Sequence, residues 1–205
     1  MPHLYYVHDP MCSWCWAFRP QLQILLQRLP ADVSHSRLLG GLAPDTDEPM
    51  PQEMRESLQA TWRRIQTSVP GTEFNFGFWQ CTTPRRATYS ACRAVIAART
   101  LLPEAEEQMI LAIQQAYYLE ARNPSDVPVL VSLAEALGID GRQFHSELGD
   151  HSTQQSLEHE IAHSRALGVH SFPSLVLEVE DGRWAIPVDY RSAESMLETI
   201  TLILN

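Results

Sequence analysis

The sequence contains no lysine: all 15 basic residues are arginines, and the formal net charge is −10. No stretch of the chain is strongly basic. Nucleic acids and anionic membranes are bound through clustered positive charge, so this composition predicts no nucleic-acid partner and no membrane partner. No apolar run is long enough to cross a bilayer, since a spanning helix needs about 20 apolar residues.

The N-terminal residues lack the features of a secretory leader. Met-Pro-His-Leu-Tyr-Tyr-Val has no basic segment, no long apolar segment and no small-residue cleavage site. We therefore expect a cytoplasmic protein. Cytosolic thiols are kept reduced, so the four cysteines are not expected to form a structural disulfide framework. A close cysteine pair in that compartment is more often catalytic or metal-binding.

The N-terminal part of the chain predicts a β-α-β unit. The short apolar run HLYYVH, His3–His8, is typical of a strand buried on both faces, and Asp9-Pro10 ends it. A helix is predicted from about Cys12, and Pro20 inside it is predicted to bend it. Residues 33–42 predict a second strand.

The rest of the chain changes from helical to mixed character. Residues 43–50 have the composition of a linker, and helices are predicted over 51–68, 84–101, 103–121, 126–137, 140–148 and 151–167. Strand character returns at Ser174–Val179, followed by a predicted turn at Asp181-Gly182, an antiparallel strand over 183–188 and a helix over 192–204. The pattern predicts an α/β fold in which an all-helical insertion, 44–168, interrupts a discontinuous domain formed by 1–43 and 169–205.

The candidate chemistry lies in DPMCSWCWAF, residues 9–18, where Cys12 and Cys15 stand between a strand and a helix start. Free N–H groups and the helix dipole put partial positive charge at the first turn of a helix, which stabilises a thiolate. The thiolate is the reactive form of cysteine. The spacing therefore predicts that Cys12 attacks a disulfide and that Cys15, one turn later, resolves the mixed disulfide.

Two other interpretations of the pair stay open on the residues alone. A CxxC is half of a four-cysteine zinc site, but the remaining cysteines, Cys81 and Cys92, do not form the second CxxC that such a site needs. The pair could also be two inert core thiols. Cys81 and Cys92 themselves are interpreted as buried or half-buried thiols.

Three features together make the sequence resemble the DsbA family of thioredoxin-fold proteins. They are the CxxC at a strand-to-helix junction, Pro20 eight residues after its first cysteine, and the proline before the late strand in HSFPSLVLEV. DPMCSWCWAF is similar to the cytosolic FrnE-like and 2-hydroxychromene-2-carboxylate-isomerase-like branch. The resemblance implies a thioredoxin-like fold with a large helical insertion and a protein-disulfide-isomerase-like thiol–disulfide oxidoreductase.

The resemblance also implies roles for matching residues. Cys12 corresponds to the nucleophile, Cys15 to the resolving thiol, and Pro173 to a cis-proline facing the pair, with the Phe172 backbone binding an extended substrate. Ser13-Trp14 stands where DsbA-type enzymes commonly carry Pro-His, so the sequence leaves the direction of electron flow open. No metal or bound cofactor is implied, and glutathione is a candidate co-substrate alongside thiol or disulfide substrates.

A second enzymatic interpretation is a glutathione-dependent isomerase or transferase that acts on a small aromatic substrate. Such enzymes of the same branch use serine at the nucleophile position, and Cys12 argues against that chemistry. Trp14, Trp16 and Phe172 are predicted to form an apolar rim around the dithiol, unless Trp16 packs in the core.

Three further features carry weaker predictions. HEIAH, residues 159–163, fits the zincin pattern but lacks a third ligand on a following element, so a solvated helix face is expected. Arg85-Arg86 is expected to be solvated, with binding of a carboxylate or of glutathione as the alternative. Asp9 is close to Cys12 in sequence, where a carboxylate would oppose thiolate formation or relay a proton from Cys15.

Overall fold

A computed structural model describes residues 1–180 and 182–205. It contains a mixed four-stranded sheet with the strand order β2-β1-β3-β4. The strands are β1 (His3–His8), β2 (Ser34–Leu39), β3 (Ser174–Val179) and β4 (Gly182–Ile186). β1 pairs parallel with β2 and antiparallel with β3, and β4 pairs antiparallel with β3. The predicted α/β fold class is confirmed.

Helices make up most of the rest of the chain. They are α1 (Ser13–Gln27), α2 (Gln52–Ser68), α3 (Phe78–Cys81), α4 (Tyr89–Leu101), α5 (Glu106–Tyr118), α6 (Val127–Ala136), α7 (Gly141–Leu148), α8 (His151–Ala166) and α9 (Ala193–Leu204). None of the helices in the described ranges is long and apolar enough to cross a membrane.

The central strand β1 is covered on both faces, as its apolar run predicts. Leu4 and Tyr6 pack with Phe18 of α1 and with α9, whereas Val7 packs on the opposite face with Leu38 and Val176. This burial fixes the end of β1 at His8, and the chain continues from there to the cysteine pair at the start of α1. Pro20 lies inside α1, as the sequence indicates.

A second core lies among the helices between β2 and β3. Its centre is Trp62, whose ring contacts neighbouring aromatic side chains, and the ring centroids of Trp62 and Phe74 lie 4.8 Å apart. Phe78 and Trp79 are buried in the same cluster. The cluster also includes Ala17 of α1 and Leu39 of β2. The division into 1–43 plus 169–205 and an insertion 44–168 stays a prediction.

Several predicted bounds were wrong, for local reasons. The helix expected from residue 84 begins at Tyr89, because Met50 N donates to Pro84 O at 2.8 Å and the segment pairs there as extended chain. β2 ends at Leu39 rather than 42, because the chain turns at Gly41, where φ is +62°. The strand expected over 183–188 spans Gly182–Ile186 and stops before Pro187. Of the predicted turn, Asp181 lies outside the described residues.

Candidate active site

The two cysteines of the CxxC occupy different depths at the start of α1. Cys12 is the N-cap residue and is 7% exposed, whereas Cys15, in the first turn, is 1% exposed. The Cys12 amide donates to Asp9 O at 3.0 Å, which fixes the turn between β1 and α1. No side chain caps α1. Cys12 therefore occupies the N-cap position. In capped helices, the side chain at this position accepts hydrogen bonds from the unpaired N–H groups of the first turn.

The environment of Cys15 favours its protonated form. Burial raises the pKa of the Cys15 thiol well above its ordinary value, and a hydrogen bond with Cys12 raises it further. The nearby Asp9 backbone acts in the opposite direction and lowers this pKa. Cys15 therefore keeps its proton at neutral pH.

The loop before β3 faces the dithiol. The Phe172–Pro173 peptide bond is cis, as the resemblance implies, and the Cys12 thiol donates to Phe172 O at 3.5 Å. The Phe172 ring lies against Gly40, where an added Cβ would come within 2.0 Å of a ring carbon. A glycine after β2 thus makes room for the ring that holds this loop against Cys12.

The predicted aromatic rim is only partly formed. Trp14 is half-buried; its ring lies 5.1 Å from Tyr190, and the Arg64 guanidinium lies 5.6 Å from the Trp14 ring. Trp16 instead stacks on Tyr118 at 5.8 Å, and its indole N–H donates to Glu73 O, so it packs against the helical core. Beside Trp14, an open groove of about 550 Å³ is lined by residues that include Val69, Tyr190 and Arg191.

Asp9 is a buried structural acceptor directly before the dithiol. Its carboxylate accepts from Met11 N (2.8 Å), Leu42 N (2.7 Å), Thr88 Oγ1 (2.6 Å) and, at 3.6 Å, the Cys92 thiol. Burial raises its pKa, while these donors act to lower it. With all four donors in place, the carboxylate holds together the ends of β1, β2 and α4. Thr88, Leu42 and Cys92 are distant in sequence, and no motif links them to Asp9.

Two buried side chains of β1, Tyr6 and His8, add polar atoms to the core near the dithiol. Tyr6 is 4% exposed, and burial raises the pKa of its hydroxyl well above its ordinary value. Its ring stacks on His8, with centroids 4.9 Å apart. His8 is 1% exposed, neither ring nitrogen has a partner within the described ranges, and burial lowers its pKa to about 3. Sequence reasoning assigned Tyr6 and His8 only to a strand, since their tertiary neighbours come from α1.

HEIAH is not a fully solvated face, which corrects the prediction. His159 and His163 are exposed, but Glu160 forms an ion pair with Arg99 of α4 and accepts from Leu39 N at 2.7 Å. Glu160 thereby ties α8 to α4 and the end of β2. Within residues 1–180 and 182–205, no group of three or more metal-binding side chains is present.

Two other predicted placements were also wrong. Arg85 is not solvated: it pairs with Asp126, the N-cap residue of α6, and donates to Ser125 O at 2.8 Å. Cys81 is exposed, because α3 ends at that residue on the surface. Cys92 is buried, as predicted.

Fold and site together define a class: thioredoxin-fold proteins with a cysteine pair at the start of the first helix. A family model described as Thioredoxin matches residues 5–183, and the chain belongs to this family. The resemblance to the DsbA family and the thioredoxin-like fold are thereby confirmed.

Solved structures with this fold cover nearly the whole chain. A putative protein disulfide isomerase from Nitrosomonas europaea is 28% identical, with 99% of this chain and 97% of that chain covered and a TM-score of 0.84. The cytosolic disulfide reductase DsbM from Pseudomonas aeruginosa with GSH is 20% identical, with coverages of 99% and 100% and a TM-score of 0.76. A 2-hydroxychromene-2-carboxylate isomerase is 15% identical, with coverages of 98% and 95% and a TM-score of 0.62.

Curated relatives are longer than this chain. The ClpXP adapter protein SpxH of Halalkalibacterium halodurans is 23% identical over 84% of this chain, and the chain spans 57% of that protein's length. For SpxH of Bacillus subtilis, also 23% identical, the corresponding shares are 91% and 62%.

Proposed function

We propose that this protein is a cytoplasmic thiol–disulfide oxidoreductase, in which Cys12 is the nucleophile and Cys15 the resolving thiol. The observation that carries the proposal is the unequal placement of the two sulfurs. Cys12 stands at the uncapped start of α1, beside Phe172 O, whereas Cys15 lies beneath it and keeps its proton. Cys12 is therefore the sulfur nearer to solvent and the one that a substrate disulfide can reach.

The chemistry proceeds in two exchange steps. The Cys12 thiolate attacks one sulfur of a substrate disulfide, a Cys12–substrate disulfide forms, and the other substrate sulfur leaves as a thiolate that takes a proton from water. Cys15 then gives its proton to solvent and attacks the Cys12 sulfur, which forms the Cys12–Cys15 disulfide and breaks the Cys12–substrate bond. The second substrate sulfur leaves as a thiolate and takes up a proton from solvent. Two electrons pass from the protein dithiol to the substrate, and the reverse sequence oxidises a substrate dithiol.

The substrate would bind across the cis-proline loop and the start of α1. The Phe172 backbone offers hydrogen bonds to an extended segment, Pro173 packs beside the sulfurs, and Ser13 and Trp14 contact the substrate from the helix side. The reaction needs no metal and no bound cofactor. Glutathione is the proposed co-substrate that returns the dithiol to its reduced form, a proposal supported by the fold shared with the DsbM structure described with GSH.

Reduction of insulin disulfides in the presence of glutathione tests the activity. Wild type should accelerate reduction, whereas Cys12→Ser should be inactive. Cys81→Ser is the matched control, since Cys81 is exposed on α3, outside the site, and its loss should leave the rate unchanged. Equal activity of wild type and Cys12→Ser would contradict the proposal.

A glutathione-dependent isomerase acting on a small aromatic compound is the second candidate. The groove beside Trp14 and Tyr190 favours it, because aromatic walls suit a flat apolar ligand. The same Cys12→Ser variant separates the two functions. An isomerase of the serine type would keep activity with a serine at this position, whereas disulfide exchange cannot occur without the sulfur.

A further inference from the structure

The groove beside Trp14 is bordered by two arginines that have no carboxylate partner. Arg191 lines the groove, and the Arg64 guanidinium lies 5.6 Å from the centroid of the Trp14 ring, which lines the same groove. Both arginines are exposed, and within residues 1–180 and 182–205 neither forms an ion pair. The groove is therefore locally cationic, although the formal net charge of the chain is −10.

Arg191 is held by the end of α2. Its guanidinium donates to Ser68 O at 3.4 Å, and Ser68 is the last residue of that helix. This bond uses one N–H group, whereas an arginine side chain carries five. The remaining N–H groups of Arg191 are free to bind an anion in the groove.

Arg64 contacts the Trp14 ring and keeps its hydrogen-bond donors. A guanidinium that lies over an aromatic face leaves the N–H groups at its edge, where a carboxylate can accept two of them at once. Trp14 stands between Cys12 and Cys15 in the sequence. A carboxylate bound by Arg64 would therefore belong to a part of the substrate that is close to the reacting sulfur.

Asp189 also lines the groove, but it does not neutralise the two guanidiniums. Its carboxylate already accepts three hydrogen bonds, from Arg191 N at 2.8 Å, Ser192 N at 3.1 Å and Ser195 Oγ at 2.8 Å. These donors lie around the start of α9, where the helix dipole offsets negative charge. Asp189 thus caps its own segment, and the guanidinium groups stay available.

We infer that Arg64 and Arg191 bind a carboxylate of the substrate, so that the preferred substrates are disulfides of acidic peptides. The inference rests on the proposed function and names its substrate class. A peptide suits the groove of about 550 Å³ because the groove is open along its side. The net charge of the whole chain repels an acidic substrate, so a preference for one can arise only from local positive charge.

Three capped dipeptide disulfides that differ in one side chain test the inference. They carry glutamate, glutamine or lysine before the cysteine. The pre-reduced protein reacts with each in a single turnover without glutathione, and the released peptide thiol is measured by chromatography after an acid quench. Each rate constant is divided by that for dithiothreitol alone, which removes differences in the intrinsic reactivity of the disulfides.

The glutamate peptide should react about fivefold faster than the glutamine peptide at low ionic strength, because each exposed charge pair corresponds to a factor of about two or three. The lysine peptide should react more slowly than the glutamine peptide. In about 0.5 M NaCl the preference for glutamate should fall below about twofold, since exposed charges are then screened.

Variants of the two arginines test the source of the preference. Arg64→Gln and Arg191→Gln should each lower the glutamate-to-glutamine ratio by a factor of about two or three, and the double variant should abolish the preference. Arg64→Lys should retain most of it, because the charge is kept. Arg142→Gln is the matched control: it makes the same change in net charge at an exposed position on α7, and the ratio should stay as in wild type.

Equal normalised rates for the glutamate and glutamine peptides at low ionic strength would overturn the inference and leave the proposed function standing. A preference that survives in the double variant would also overturn it, because the arginines would not be its source. The salt series uses only the wild-type protein, so it decides even where a variant does not fold. If none of the three disulfides is reduced, the proposed function itself is contradicted, and the inference falls with it.

Discussion

Two layers of the site differ in the hydrogen bonding and the charge of their polar groups. We define the rim as Cys12, Trp14 and Phe172, and the floor as Tyr6, His8, Asp9 and Cys15. In the rim, Cys12 is the N-cap residue of α1, and its thiol donates to the backbone carbonyl of Phe172. In the floor, each polar group is paired or kept uncharged: Asp9 is held by four donors, whereas His8 is neutral. The difference teaches that the rim carries reactivity and the floor sets stability and protonation.

The largest expected effects come from the two cysteines themselves. Cys12→Ser should abolish disulfide exchange, whereas Cys15→Ser should accumulate mixed disulfides through Cys12, because the attacking sulfur remains and the resolving sulfur is gone. Intact-mass spectrometry after incubation with glutathione disulfide reads both outcomes. Rapid alkylation of Cys15 alone near neutral pH would show that Cys15, and not Cys12, is the attacking thiol.

Asp9→Asn should be the most destabilising change in the floor. The asparagine amide keeps one acceptor oxygen, but its NH2 group would face the Leu42 N–H or the Thr88 hydroxyl, which are themselves donors. The free energy of unfolding should therefore fall by about 3 kcal/mol. Urea unfolding measures it. Thr88→Val removes one of the donors and should cost about 1–2 kcal/mol. In the double variant, the loss in free energy of unfolding should be smaller than the sum of the two single losses, because Asp9 and Thr88 share a hydrogen bond. Strict additivity would contradict the network.

His8 should give the floor a pH dependence. The pKa of His8 is about 3, below the ordinary value of about 6.5, because burial opposes its charge. Its stabilising contribution is therefore complete above pH 6.5 and is lost as pH falls toward about 3, by up to about 1.4 kcal/mol per pH unit. His8→Phe should flatten this part of the stability curve in urea titrations at several pH values.

Exposed His159 supplies the control for that experiment. His159→Gln should leave the pH dependence of stability as in wild type, because the side chain lies on the surface of α8. If His8→Phe and wild type lose stability in parallel between pH 6.5 and 3, then His8 is not held neutral in the floor.

Trp14→Ala should produce the smallest change, and it should act on binding rather than on folding. The half-buried ring contacts Tyr190 and Arg64, so its loss should lower the free energy of unfolding by only about 1 kcal/mol. The KM for an aromatic disulfide should rise by about tenfold, the factor that corresponds to about 1.4 kcal/mol of lost contact. A large loss of stability with unchanged KM would place Trp14 in the core rather than in the rim.

Local patterns predicted the elements that carry the dithiol. β1 was predictable because a short apolar run with β-branched and aromatic residues that ends at Asp9-Pro10 is typical of a buried strand. The start of α1 was predictable from the same Asp9-Pro10 pair, which ends the strand just before the helix. The rim residues Cys12, Trp14 and Phe172 are recognisable because they stand in two short motifs, each at the boundary of a strand.

The floor was not predictable in the same way. Asp9 is held by Leu42 and Thr88, which are 33 and 79 residues away along the chain, and no local spacing relates them. The helix predicted from residue 84 begins at Tyr89 partly because Thr88 turns to Asp9, so a tertiary contact overrides local propensity. Tyr6 packs against Phe18 only once α1 lies on β1, and no sequence signal marks that contact.

A glutathione redox titration of the Cys12/Cys15 couple tests the central claim most directly. The protein is equilibrated at fixed ratios of glutathione to its disulfide, free thiols are alkylated, and peptide mass spectrometry reads which cysteines are joined. We predict one reversible two-electron transition in which a Cys12–Cys15 disulfide forms, while Cys81 and Cys92 stay outside it. A pair that never forms this disulfide at any ratio, or a transition that joins Cys12 to Cys81 or Cys92 instead, would contradict the account.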